Sequence, residues 1–403
     1  MSKFKWIITI IIAVVIVIGL NFYLNGKLCW IREASAVNIV RRVVPGGPAQ
    51  YLAQDGNYVV AVGIVSEEND DCALYLYDTK GTYDNFDDDT YTIIDQIDSD
   101  NGWFTHVTID DNYITWIDST GWSSCTALKL KGYYILTEDL FVISSNVTDF
   151  MYSRDGNLVV YECKGNNSDI KLFNLNTKNE SNICTANNFQ KKPYIKNNIV
   201  VWEDLRNEAI TGKDIYMYNL GTNTESVVSN AESDQARPVT NGSYIVYNHM
   251  NNGSEIPTEI RKYNISNSTT TVVATAGEGN LVFRSDINGQ FLAWQETNNG
   301  ITVTSNLYLY NLATSQNTLI EEAGNNAIGI AYLSSTQVVY YIGGGLKDVY
   351  GYNLISSQKY TIMTNGETYS KINLNREENK VIMSTKGAAG DPNEWDVAFA
   401  FIP

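Results

Sequence analysis

Asn198-Ile-Val-Val-Trp-Glu-Asp204, followed by Asp214-Ile-Tyr-Met-Tyr-Asn-Leu220 and Thr224-Glu-Ser-Val-Val228, is the stretch that decides the fold. It reads as an unbroken apolar strand ending in Trp, a loop, an alternating strand closing on Asn-Leu, and a polar strand. The order recurs along nearly the whole chain. The apolar run returns as Tyr58-Val-Val-Ala61, Tyr113-Ile-Thr-Trp116, Leu158-Val-Val-Tyr161, Tyr244-Ile-Val-Tyr247, Phe291-Leu-Ala-Trp294, Val338-Val-Tyr-Tyr341 and Lys380-Val-Ile-Met383. Runs without alternation fit strands buried on both faces. From Phe173 through Tyr218, Tyr263, Tyr310 and Tyr352, the steps are 45, 45, 47 and 42 residues. Such a period marks a repeat architecture, in which one unit cannot bury its apolar face alone.

Turn chemistry fixes which strands are neighbours. Asp55-Gly56, Asp155-Gly156, Asn241-Gly242 and Asn288-Gly289 each precede an apolar run. Such pairs supply the positive φ of a tight hairpin, so an antiparallel strand must come just before. Each repeat therefore has four antiparallel strands, A to D, the apolar run being B. This is an all-β chain, and a β-propeller of four-stranded blades is the architecture that fits. Eight B strands are present, so eight blades are expected, with seven the alternative. The segment Val37-Asn-Ile-Val-Arg-Arg-Val-Val44 resembles a D strand without a blade, and Tyr369 to Pro403 supplies A, B and C without a D. Pairing them closes the ring and removes open sheet edges. The propeller is accordingly expected over residues 31–403.

Before it, Trp6 to Leu24 is almost wholly apolar and long enough to span a bilayer as a helix. Residues 1–30 are expected to form a cytoplasmic tip and transmembrane anchor of a single-pass protein of the cell membrane. A cleaved signal is the other reading, but Ala34-Ser35-Ala36 lies far beyond the apolar run. Asn-x-Ser/Thr sequons at Asn146, Asn166, Asn179, Asn241, Asn252, Asn264 and Asn267 favour an extracytoplasmic propeller, and glycosylation there. Cys72, Cys125, Cys163 and Cys184 allow two disulfides, or remain buried thiols. The formal charge of −17 repels phosphate backbones, which argues against nucleic acid as a partner. With only His106 and His249, a multi-histidine metal site is excluded.

Val201-Trp-Glu-Asp-Leu-Arg-Asn207 with Asp214 to Leu220 resembles the TolB-like propeller repeats of prokaryotic surface and periplasmic proteins, archaeal cell-surface arrays above all. The resemblance covers nearly everything after the apolar run. It implies a surface-exposed binding or scaffolding module. The chain departs from TolB in its apparent anchor, its number of repeats and its lack of a separate amino-terminal α/β domain.

Loops between B and C strands and between successive repeats share one rim, where ligands bind in propellers. Candidate binding residues there are Trp122, Asp204, Arg206, Glu208, Asp391, Glu394 and Trp395. Exposed Trp beside carboxylates stacks on sugars or anchors a protein. The alternative is that Asp204 and Arg206 brace a turn. Asp84, Asp87, Asp88 and Asp89, with Asp98 and Asp100, are candidate calcium ligands, since hard cations take convergent oxygens; solvated acidic loops are the other reading. No Gly-x-Ser-x-Gly elbow or phosphate loop occurs. A non-catalytic module binding a surface protein or glycan is therefore expected. A carbohydrate-active lyase or glycosidase using rim carboxylates, and an envelope subunit, are the alternatives.

Overall fold

A computed structural model describes residues 52–401 except 66–70, 83–87, 99–101, 121–127, 166, 252–255, 278–279, 299–303, 344–346, 375–379 and 387–394. Before residue 52 it describes the strands Phe22–Leu24, Lys27–Cys29, Ile31–Ala34 and Val37–Val43.

The deciding stretch folds as its pattern requires. Gln190–Lys196, Ile199–Asp204, Asp214–Asn219 and Thr224–Ser229 lie side by side in that order, all antiparallel. This is unit 4. Units 1 (52–97), 5 (235–275) and 6 (280–322) are separate four-stranded sheets of the same order. Elsewhere one long strand serves two units. Asp139–Asp155 is strand D of unit 2 (104–147) and strand A of unit 3 (152–184). Gln358–Leu374 is strand D of unit 7 (328–363), then pairs with Lys380–Lys386. Trp395–Phe401 follows, and beyond it Val37–Val43, with Phe399 opposite Val40.

Each interface between units is a layer of side chains. Val160, Ile170 and Ile183 of unit 3 meet Val200, Trp202 and Tyr216 of unit 4. Ile199, Val201, Ile215 and Met217, on the other face of unit 4, meet Ile245 and Tyr247 of unit 5. Alternate residues of one B strand thus serve two interfaces, which is why B strands are apolar without a break. A strands pack against A strands from unit to unit, and Gln358–Leu374 packs against Leu52–Asp55 of unit 1.

Hydrogen bonds also join successive A–B hairpins. The Asp111 N–H donates to Asp55 Oδ2 (3.0 Å), and the Asn197 N–H to Asp155 Oδ2 (2.7 Å). Asn197 Nδ2 donates to the Asn241 carbonyl (2.9 Å), Asn241 Nδ2 to that of Gly289, and Asn288 Nδ2 to that of Leu333 (3.1 Å). The Asp and Asn side chains expected only to form turns also tie the units into a belt.

Some expectations change. Residues 6–21 of the apolar run lie outside the described residues, and Phe22–Leu24 is an extended strand paired with Lys27–Cys29. Among the described residues no helix is long and apolar enough to cross a membrane. Cys72, Cys163 and Cys184 are free buried thiols, not disulfides, and Cys125 lies outside the described residues. Burial pushes the Cys72 and Cys184 thiols up to about 12, so they stay protonated and inert. A one-turn helix, Glu208–Thr211, occupies the B–C loop of unit 4.

Candidate functional site

Three A strands carry the same irregularity. In units 2, 4 and 5, two A residues oppose one B aromatic: His106-Val107 opposite Trp116, Lys192-Pro193 opposite Trp202, and Arg237-Pro238 opposite Tyr247. The first residue of each pair is left-handed, with φ of 53°, 50° and 53°. That conformation is uncommon for a residue with a Cβ, and a bulge of this kind re-aims a side chain. A strands pack on one another from unit to unit, so these three bulges lie around the common axis, with His106 and Lys192 half-buried and Arg237 exposed.

Each bulge is braced by side chains around it. Thr105 Oγ1 lies 2.8 Å from His106 Nδ1, and the half-buried Tyr152 donates its hydroxyl to the His106 carbonyl at 2.6 Å. Burial raises the Tyr152 pKa, which keeps this hydroxyl a donor. Glu203, 1% exposed, accepts the Arg237 N–H at 2.8 Å and lies 3.3 Å from Lys192 Nζ. One buried carboxylate thus holds two of the three bulges. This arrangement positions cations and an imidazole, which suits an anionic ligand and proton transfer.

A cavity of about 420 Å³ opens at the A–B end of the same axis. Val107, the second residue of the first bulge, lines it together with Asp55, Asp110, Asp111, Asp155 and Lys196. The axis is therefore basic toward the start of the A strands and acidic toward their end.

The rim residues singled out by sequence fare differently. Asp204 is fully buried and Arg206 covers it: Arg206 Nε lies 2.9 Å from Oδ1 and Nη2 2.7 Å from Oδ2. Trp202 Nε1 also donates to Asp204 Oδ2 (2.8 Å), and Arg206 Nη1 reaches Glu225 (2.8 Å) while lying over the Tyr216 ring. Although desolvation of the guanidinium opposes it, these hydrogen bonds hold the Arg206 pKa above its ordinary value. Glu208 is exposed on its one-turn helix. Trp395 starts the strand opposite Lys386, whereas Trp122, Asp391 and Glu394 lie outside the described residues. Asp84, Asp87 and Asp100 also lie outside them. Asp88 accepts the Thr82 hydroxyl at 3.0 Å, and Asp98 sits beyond the far end of the strand Thr90–Ile97. Among the described residues no three His, Cys, Asp or Glu are grouped to hold a metal, and Asp88, Asp89 and Asp98 are the members of the expected calcium set that lie among them.

The bulges escaped the sequence reading, yet they leave a signal. His106, Lys192 and Arg237 each stand ten residues before the B-strand aromatic, and Lys192 and Arg237 each precede Pro.

By sequence, no family model and no curated protein matches the chain. Solved structures do. The β-propeller domain of the trilobed protease from Pyrococcus furiosus matches with TM-score 0.50 and 9% identity, covering 74% of this chain and 93% of that one. The fold is a β-propeller. An oligogalacturonate lyase in complex with manganese matches the propeller end to end, with TM-score 0.51, 11% identity, and 94% and 96% of the two chains covered. Dipeptidyl peptidase 4 of Porphyromonas gingivalis matches with TM-score 0.57 and 11% identity over 88% of this chain, which spans only 58% of the peptidase.

These likenesses correct one expectation. The propeller build had been taken as the mark of a non-catalytic binding or scaffolding module. The same build makes up nearly all of a lyase and over half of a peptidase. At such identities the likeness concerns the fold, and the manganese belongs to that lyase.

Proposed function

We propose that this chain is a carbohydrate-active enzyme of the lyase kind, acting on an acidic oligosaccharide at the basic end of its axis. The ring in this reading has eight blades, and Val37–Val43 completes the last one beside Trp395–Phe401. The observation that carries the reading is the set of left-handed bulges presenting His106, Lys192 and Arg237. The end-to-end match with an oligogalacturonate lyase supports it.

The chemistry follows from the substrate class. Elimination from a uronic acid removes the proton α to the carboxylate, forms a carbon–carbon double bond and expels the glycosidic oxygen. The α proton is acidic only when the carboxylate charge is offset. Lys192 and Arg237 supply that offset, and they gain strength wherever the site excludes water. His106, held by Thr105, is the candidate base, because imidazole titrates near neutral pH. Glu203 positions the two cations. An anchor formed by the apolar run before Phe22, together with the sequons, would favour a ring outside the cytoplasm, and protease shaving of intact cells tests that.

Purified protein incubated with oligogalacturonate should yield unsaturated products, seen as new ultraviolet absorbance. Lys192→Ala and Arg237→Ala should raise KM, and His106→Ala should lower kcat by about 10²–10⁴-fold. Saturated products, or turnover unchanged in all three variants, would sink the elimination reading.

A further inference from the structure

Units 4 and 5 build their rim ends on the same framework. In unit 4 a polar row crosses strands A, B and C, with Gln190 opposite Asp204 and Asp204 opposite Asp214. In unit 5 the row is Gln235, His249 and Glu259. Both glutamines are fully buried, and each clasps the loop just before its strand. Gln190 Nε2 donates to the Asn188 carbonyl at 3.1 Å, and Gln235 Nε2 to the carbonyls of Ala231 and Ser233. Asn188 and Ser233 are both left-handed, with φ of 67° and 77°. The next carbonyl accepts the N–H just past strand B. Phe189 takes that of Leu205, and Asp234 that of Met250, each at 2.9 Å. Phe189 and Asp234 therefore hold equivalent places on equivalent backbones.

Their side chains meet different surroundings. Asp234 Oδ1 accepts the Lys213 N–H and Oδ2 pairs with Lys213 Nζ, each at 2.9 Å. Phe189 is 43% exposed. The loop needs no aromatic, because Asp234 stands on the same backbone. Nor is it a frayed end, since Asn188 Nδ2 donates to the Leu205 carbonyl at 2.6 Å. A pinned loop thus holds an aromatic ring out to solvent, so little ordering is left for a ligand to impose.

A single exposed apolar side chain is ordinary; its neighbourhood here is not. Lys191 stands directly opposite Glu203, so the two share a face. Phe189, two residues before Lys191, extends that face outward by about 7 Å. Lys191 Nζ lies 5.0 Å from the centre of the Phe189 ring, and no carboxylate among the described residues pairs with it. Glu203 is the carboxylate that meets Lys192 Nζ and the Arg237 N–H. One face of unit 4 therefore runs from the two cations of the cleavage site to an unpaired ammonium and an open ring.

We propose that Phe189 and Lys191 form an outer subsite that takes one further sugar of the acidic oligosaccharide. A uronate sugar has an apolar C–H face and a carboxylate at its edge. Phe189 takes the face, and Lys191 takes the carboxylate. The subsite rests on the elimination reading, in which the two sugars flanking the cleaved bond lie at His106, Lys192 and Arg237. A dimer fills that site, and a trimer is the shortest chain that reaches Phe189.

Digalacturonate and trigalacturonate are titrated calorimetrically into the full chain, and their cleavage is followed by ultraviolet absorbance. Wild-type protein should bind the trimer about tenfold more tightly than the dimer. Phe189→Ala should close that gap by raising Kd and KM for the trimer, with kcat and every dimer constant unchanged. Phe189→Tyr should keep the gap, and Lys191→Ala should narrow it about threefold at low salt. Ile355→Ala, exposed on the C–D turn of unit 7, should leave it whole. Circular dichroism at the start confirms that each variant is folded. A gap that survives in Phe189→Ala, or equal losses for dimer and trimer, would overturn the subsite and leave elimination standing. Both sugars bound with the expected gap but left uncleaved would sink elimination and keep the pair as a sugar-binding site. Binding of neither sugar would overturn both.

Discussion

Units 4 and 5 are neighbours with the same strands, the same bulge and the same buried row, but they solve the row differently. Unit 4 uses a carboxylate capped by its own guanidinium; unit 5 places an imidazole at the matching position, and in both rows the A-strand glutamine keeps its amide oxygen without a protein partner. The backbone of a repeat fixes where a side chain stands and leaves open what it does there. Different side-chain chemistry can therefore occupy equivalent positions in successive blades.

The comparison can be broken most forcefully at its shared core. Trp202, fully buried between units 3 and 4, should cost about 3–5 kcal/mol on change to Ala, measured by denaturant unfolding. A change near zero would mean that the repeat interface is not where the stability lies. Next is the guanidinium. Arg206→Ala leaves Asp204 buried with its charge uncompensated, and about 3 kcal/mol should be lost. Asn251→Ala, at the matching position, should cost only about 0.5 kcal/mol. Equal losses from the two variants would erase the distinction between the units.

A smaller effect comes from Glu203, which braces both bulges. Glu203→Ala should cost about 1–3 kcal/mol by leaving the Arg237 N–H without its acceptor. The variant should also raise KM for an acidic oligosaccharide, because Lys192 loses its partner.

The smallest effect is on pH dependence. Burial and then Arg261 lower the His249 pKa below the ordinary 6.5, so below that value the unfolded chain binds more protons than the folded one. Stability should be complete above about pH 6.5 and fall as pH drops toward the folded pKa. His249→Gln should flatten that slope in pH-resolved melting. An unchanged slope would mean that other groups carry it.

How much of this the sequence disclosed depends on the kind of feature. Strand order was legible because B strands buried on two faces permit little but apolar residues, and because Asn-Gly and Asp-Gly pairs announce their hairpins. The bulges were not, since a left-handed Lys192 or Arg237 looks like any basic residue of a half-polar strand. Their offset from Trp202 and Tyr247 becomes a signal only once the register is known. Asp204 drew attention as a rim carboxylate, although Arg206 already covers it. Phe189 drew none, because one aromatic cannot be distinguished from a core residue until its neighbours across the sheet are placed.

The belt of A–B hairpins also carries a clock. Asn241 and Asn288 each donate a side-chain amide proton to a carbonyl of the next blade, and each is followed by glycine. An Asn-Gly bond is the sequence at which side-chain amides hydrolyse most readily. Loss of ammonia there turns a donor into a carboxylate, which then faces the very carbonyl it used to hold. Aged protein should therefore loosen first between blades 5 and 7, and peptide mass mapping beside hydrogen exchange would show whether the seam and the modified residue coincide.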